Sequence, residues 1–309
     1  MKRRDLIFRS APAGALAAVM GGNLANMLGS IARTPGRSSA AENPSRRPPA
    51  DKIPVAFVIS DGAVMIDVAG PWEVFQDVTI LSRGTTRADQ TPFALYTVSD
   101  ATNPIRASDG MLIVPNYSFA DAPAPKVVVI PAQKQPSAAM LDWIRHAAPS
   151  ADVTMSVCTG AFLLAQTGLL DDKAATTHHA AYVQFAMQYP KIQLKRGARF
   201  VDEGTVASSG GLSSGIDLAL HVVERYFGRG VAQTTAYQME YQGRGWLDAN
   251  SNAEYAKSFQ STPDHPKCLI CGMDVDAHTA QSSAYHGVTY YFCIDAHKAI
   301  FDAAPAKWS

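Results

Sequence analysis

The chain has no surplus of charge. Lys+Arg and Asp+Glu both number 27 among 309 residues, so the formal net charge at pH 7 is zero. A neutral surface gives no electrostatic attraction to a phosphate backbone or an anionic lipid face, which argues against nucleic acid and membrane partners. Cysteine is scarce too: of the four present, Cys268, Cys271 and Cys293 lie beyond residue 266, and Cys158 stands alone in the body of the chain. Internal repeats are missing, which excludes solenoid and propeller architectures. What is present is a hydrophobic share of 47%, ordinary for a globular core, at a length suited to one substantial domain plus a smaller module.

Residues 1–50 differ from the rest. Lys2, Arg3 and Arg4 form a positive head, Ser10 to Ala32 carries no charged side chain, and Arg, Ser and Pro dominate the stretch to Pro49. A positive head, an apolar middle and the small residues Ser39-Ala40-Ala41 mark an export signal. The arginine pair in KRRDLIFRS (2–10) resembles a twin-arginine signal, which implies delivery of a folded protein to the periplasm without stable membrane insertion. A retained anchor is the alternative. Pro12, several glycines, Asn23 and Asn26 make the segment weakly apolar for that role.

From Ile53 the pattern becomes alternating strands and helices. IPVAFVIS (53–60), FALYTVS (93–99), KVVVI (126–130), ADVTMSV (151–157) and GTVASS (204–209) are short strand-like runs. Residues 70–81, 136–148, 161–170 and 215–227 have helical character. Alternation of this kind predicts right-handed βαβ crossovers and an α/β fold, a mainly parallel sheet with helices on both faces. This portion spans 51–250 and ends near Trp246; polar residues 251–266 read as a linker, and 267–309 as a separate small module.

In such a sheet, ligands bind outside the carboxyl ends of the strands. Asp67, Cys158 and Gly210-Gly211 each follow a predicted strand, so the topology brings them to one edge. Cys158 is followed by Thr159, Gly160 and an apolar helix, the arrangement of a nucleophile elbow with Cys in place of Ser. A helix N-terminus there favours thiolate, and its N–H groups could stabilise charge on a substrate. The plainer use of Cys158 is as a small buried hydrophobe. For Asp67 it is an N-cap ahead of the 70–81 helix.

SVCTGAFLLAQTGLLDDKAATTHH (156–179), MIDVAGPWEVF (65–75) and SSGGLSSGIDLAL (208–220) resemble the ThiJ/PfpI superfamily, within the flavodoxin-like class I glutamine amidotransferase-like fold, and most of all its isonitrile hydratase branch. The resemblance covers roughly Ile53 to Gln242. It implies that Asp67, Cys158 and Thr159 form the active site, that the substrate is a small molecule, that the α/β domain uses no cofactor, and that the chain forms a homodimer. Glu73, Gly160, Gly210 and Gly211 are expected near the substrate. By this reading a Cys158 thiolate adds to a protonated isocyanide carbon, Asp67 moves protons, Thr159 orients water or substrate, and water releases an N-substituted formamide. Two departures bear on the activity. Pro131-Ala132-Gln133 stands where the family reads Pro-Gly-Gly, and glycines allow closer backbone approach to a substrate. Thr159 occupies the position where peptidase-like members carry His, which argues against that branch. His178 and His179 follow the motif, with a structural role the commoner use.

The C-terminal stretch pairs Cys268 and Cys271 in CLICGMDV with Cys293 and His297 in YHGVTYYFCIDAHKAIF. Two close pairs suit tetrahedral metal binding, with Zn²⁺ or Cu⁺ as ions for such donors. So short a module is helped by a metal staple. The alternative is a Cys268–Cys271 disulfide in an oxidising compartment. The Cys-Gly-Met and Tyr-Tyr-Phe-Cys signatures resemble a YHS domain, with His297 where that family usually has a fourth cysteine.

Overall fold

A computed structural model describes residues 52–256 and 266–308. The export-signal reading of residues 1–50 and most of the linker reading therefore lie outside the described residues. Strands β1 (Ile53–Val58), β2 (Phe93–Ser99), β3 (Tyr117–Ser118), β4 (Val127–Ile130), β5 (Val153–Ser156), β6 (Phe200–Asp202) and β7 (Val206–Ser209) form one sheet in the order β6-β7-β5-β4-β1-β2-β3. All neighbours are parallel except β6, which runs antiparallel to β7 at one edge.

Both faces of the sheet are covered, so its central strands read as continuous apolar runs rather than alternating ones. Because successive side chains point to opposite faces, Val55, Phe57, Val127, Val129 and Met155 join one apolar cluster, while Ala56, Val58, Val128 and Ile130 join another. The first cluster is completed by helices Met65–Asp77 (α1) and Ser214–Phe227, the second by Ala138–Ala147 and Gly160–Gln166. The predicted α/β class and its parallel sheet are thus the observed architecture. Strand bounds differ from expectation by a residue or two.

Two differences matter for the site. The first helix starts at Met65 rather than near residue 70, which places Asp67 inside its first turn and removes the N-cap role. The α/β portion also continues past Trp246. Trp246 and Asn252 are buried, with the Trp246 backbone N–H donating to Asp217 Oδ1 at 2.8 Å and the Arg199 side chain donating to Asn252 Oδ1 at 3.2 Å. A polar stretch read as linker begins as a strap held by the pair of partly buried Arg199 and buried Asp217.

Further along, a hairpin of Gln281–Tyr285 and Val288–Phe292 precedes a helix over Asp295–Ala303. The apolar centre here is small: Cys268, Ile270, Cys271, Phe292 and Phe301 are its buried members. Among the described residues no helix is long and apolar enough to cross a membrane.

Candidate active site

Cys158 sits in the turn between β5 and the 160–166 helix with φ +58. This left-handed conformation is costly for a residue with a side chain and persists only where the surroundings hold it. Three hydrogen bonds do so. The Cys158 N–H donates to Gly210 O at 3.0 Å, the Val157 N–H donates to Ile130 O at 2.9 Å, and the buried Thr177 Oγ1 donates to Cys158 O at 2.9 Å. Gly160 is required next, because a Cβ there would collide with the carbonyl oxygens of Ile130 and Pro131. Gly211 is required for a similar reason: its Cα faces the His178 ring, and a Cβ would overlap it. The glycines at 160, 210 and 211 let three loops converge at the thiol.

Asp67 is fully buried. Its Oδ2 accepts from the Ala132 N–H at 3.1 Å, and its Oδ1 has no hydrogen-bond partner. Burial raises its pKa to about 7, opposed by the Ala132 N–H and by the Cys158 thiol beside it. Cys158 is buried, with 7% of the residue exposed. Burial, and then the negative charge of Asp67, push its pKa up to about 11, against the N–H groups of Leu212 and Thr159 and the Thr159 hydroxyl, which favour the thiolate. The expected helix-stabilised thiolate is therefore corrected. The resting group is a thiol, because desolvation and an adjacent carboxyl outweigh the donors.

The structure brings Asp67, Cys158, Thr159, Gly210 and Gly211 together. It does not bring Glu73. That side chain is exposed on α1 and accepts from Gln76 Nε2 at 2.9 Å. Six residues beyond Asp67, it lies well round the helix from the buried stripe. The altered Pro131-Ala132-Gln133 loop keeps its main-chain donor at Ala132. Gln133 turns away, accepting from Ser60 Oγ at 2.8 Å and donating to Val58 O at 2.9 Å. His178 uses Nδ1 to accept the Ala180 N–H at 3.2 Å, and burial lowers its pKa. Sequence reasoning missed Leu212, which has φ +50 and whose backbone N–H faces the sulfur, and Thr177. No residue-type signal marks a backbone donor; Thr177 lay in a quoted motif without a role.

Nearer the C-terminus, Cys268, Cys271, Cys293 and His297 offer donor atoms all within 4.8 Å of one another. Cys271 and Cys293 sulfurs lie 3.5 Å apart, and His297 Nδ1 lies 3.4 Å from Cys268 and 3.3 Å from Cys293. A tetrahedron with metal–sulfur bonds of about 2.3 Å and a metal–nitrogen bond of about 2.0 Å has edges of roughly 3.5–3.8 Å. Those three separations come within a few tenths of an ångström of that figure, and the others stay within 4.8 Å. All four cysteines are free. A hydrogen bond from Cys271 draws the Cys268 thiol down to about 4, while that bond and burial push Cys271 up. Sulfur donors this crowded are suited to sharing one cation.

A mostly parallel sheet with a cysteine elbow and a buried carboxyl beside it defines a class of protein. Residues 54–225 match the DJ-1/PfpI family, and the chain belongs to that family. Within it, the isonitrile hydratase of Pseudomonas putida is 29% identical over 202 residues, covering 64% of this chain and 82% of that protein. The HTH-type transcriptional regulator GbdR of Pseudomonas aeruginosa is 24% identical over 201 residues, and this match spans 53% of the regulator. Among solved structures, a ThiJ/PfpI family protein of Pseudomonas syringae superposes with a TM-score of 0.55 at 20% identity, over 67% of this chain and 83% of that one.

Proposed function

We propose that the chain is an isonitrile-hydratase-like hydro-lyase that adds water to an isocyanide by way of Cys158 and Asp67. The observation that carries this reading is the buried Asp67 carboxyl set against the Cys158 thiol, with a pKa of about 7. A carboxyl poised near neutrality can both take and give a proton. Asp67 takes the thiol proton and delivers it to the terminal isocyanide carbon. The thiolate sulfur then bonds that carbon, giving a thioimidate. Thr159 orients a water molecule, whose oxygen adds to the same carbon as the carbon–nitrogen π bond opens and one water proton passes to nitrogen. The carbon–sulfur bond then breaks, the hydroxyl proton goes through Asp67 to sulfur to restore the thiol, and an N-substituted formamide leaves. The Leu212 and Thr159 N–H groups stabilise sulfur whenever it carries charge.

In this proposal the folded enzyme is exported to the periplasm as a homodimer. The C-terminal segment is a YHS-like module in which Cys268, Cys271, Cys293 and His297 would hold Zn²⁺ or Cu⁺, a structural cation that ties the segment together. The test is formamide release from a panel of isocyanides by the wild type and by Cys158→Ala. Turnover by the wild type and none by the variant is expected. Absence of turnover by a folded wild type across the panel overturns the assignment. A second reading, a metal or redox sensor, is favoured by the preformed Cys₃His cluster together with a Cys158 that rests protonated. It predicts tight metal binding and a cellular effect indifferent to Cys158→Ala.

A further inference from the structure

The segment that holds the reactive turn is also a wall of the metal-ligand cluster's apolar core. Thr176 N–H donates to Ser208 Oγ at 2.9 Å, and Thr177 Oγ1 fixes the Cys158 carbonyl at 2.9 Å. The His178 ring lies against Gly211, whose neighbour Gly210 accepts the Cys158 N–H. His178 Nδ1 then caps Ala180. His179 stacks on Tyr255 with ring centroids 4.9 Å apart. Immediately beyond, Ala180 and Val183 pack on the cluster formed by Cys268, Ile270, Cys271, Phe292 and Phe301. Reactive sulfur and C-terminal donors are thus joined through a short run of chain with contacts at nearly every residue.

That core has little fully buried hydrocarbon of its own. Two of its five buried members are cysteines of the donor set, leaving Ile270, Phe292 and Phe301, with partly buried side chains such as Leu269, Tyr290 and Ile300 packed around them. A core so small normally needs a metal or disulfides to fold. Without a cation, moreover, the four donors crowd within 4.8 Å. Loss of metal would therefore loosen the segment that covers Ala180 and Val183. Those residues would lose their outer packing, and the run 177–183 would open on its own more often, since local opening follows from lost apolar contact.

We infer that cation occupancy of the Cys268–Cys271–Cys293–His297 site governs access to Cys158, with the loaded C-terminal segment clamping residues 177–183 over the reactive turn. The metal closes the turn and its loss opens it. This deepens the proposed function by giving its nucleophile a regulator, and it needs Cys158 only as a thiol. The device is two-state and reciprocal: whatever fills the space beside Cys158 and braces 177–183 should in turn tighten the metal.

The experiment compares full-length protein loaded with Zn²⁺ against the same protein stripped with a chelator. Alkylation of Cys158 is followed at fixed pH by mass spectrometry of its own peptide. Stripping is expected to speed Cys158 alkylation at least tenfold. Val183→Asp, which spoils the packing and leaves the donor set intact, is expected to give the fast rate with one zinc still bound. A Cys268→Ser, His297→Ala double variant should be fast whether or not zinc is added. Equal or slower alkylation after stripping overturns the inference. So does loss of amide-exchange protection throughout strands 127–130 and 153–156, because the effect would then be general unfolding. If formamide production is absent but alkylation follows the metal, the hydratase reading fails and this inference stands. Turnover with metal-independent alkylation has the opposite meaning.

Discussion

Cysteine sulfur is buried in two regions of this molecule, and each treats the proton differently. At the elbow, desolvation and then Asp67 push the Cys158 thiol up to about 11. At the C-terminal cluster, a hydrogen bond from Cys271 draws Cys268 down to about 4 in spite of burial. The two sites differ in what faces the sulfur. Backbone N–H groups face both sulfurs; Cys268 meets in addition a thiol that donates to it, whereas Cys158 meets a carboxyl that competes for negative charge. A helix start alone does not make a thiolate. The helix after Cys158 spans only Gly160–Gln166, and its few N–H groups do not offset burial beside an acid. A proton-transfer partner and a ligand set are thus separated by their surroundings rather than by residue type.

The comparison is broken most forcefully by the pH dependence of Cys158 alkylation in zinc-loaded protein. With a midpoint of about 11, the rate should climb close to tenfold per unit between pH 7 and 10, about a thousandfold in all. A plateau already reached near pH 6, read from the Cys158 peptide, would show an activated thiolate and erase the contrast. In Asp67→Asn the neighbouring negative charge is gone, and the midpoint should fall.

Next in size is the effect of Asp67→Asn on turnover. If the carboxyl carries the proton, formamide formation should drop about 10²–10⁴-fold. Stability should move independently of activity. The native carboxyl titrates at about 7 against 3.8 unfolded. Across that window the folded chain therefore holds a proton that the unfolded chain has released. The Asp67 contribution to stability thus falls as pH rises from about 4 to about 7, by on the order of 4 kcal/mol as an upper figure, and is constant above. Asp67→Asn should remove the slope, which urea titrations at stepped pH would reveal. A slope of the same size in the variant would place the titrating group elsewhere.

Much of this arrangement is legible in the sequence, for identifiable reasons. Doubly buried parallel strands are short β-branched runs, and Val127-Val128-Val129-Ile130 could scarcely be anything else. Cys158 and Asp67 were visible because both follow strands on the ligand-binding edge of the sheet. The sign of the Cys158 shift was not visible. It depends on how completely the loops of Gly210-Gly211 and Pro131-Ala132 close over the sulfur, which is a matter of long-range packing. The edge strand Phe200–Asp202 escaped notice because three residues are too few to show a period. By sequence the domain ends near Trp246, and residues 251–266 look like a linker because they are polar. The hold of Trp246 and Asn252 on the domain is the pair of partly buried Arg199 and buried Asp217, whose acid lies on a helix and whose base lies in a loop, distant in sequence.

Glu73 gives the smallest expected effect and the sharpest control. It shares α1 with Asp67, carries the same functional group, and lies close to it in sequence. Exposure and a hydrogen bond from Gln76 leave it nothing to do at the elbow. Glu73→Gln should change turnover less than about twofold and stability by under about 0.5 kcal/mol, as for other surface changes. Assayed beside Asp67→Asn, it separates burial next to the thiol from the mere presence of a carboxyl on this helix. A tenfold loss in Glu73→Gln would mean that α1 turns its other face to the substrate when one binds, and the role assigned to Asp67 would have to be shared.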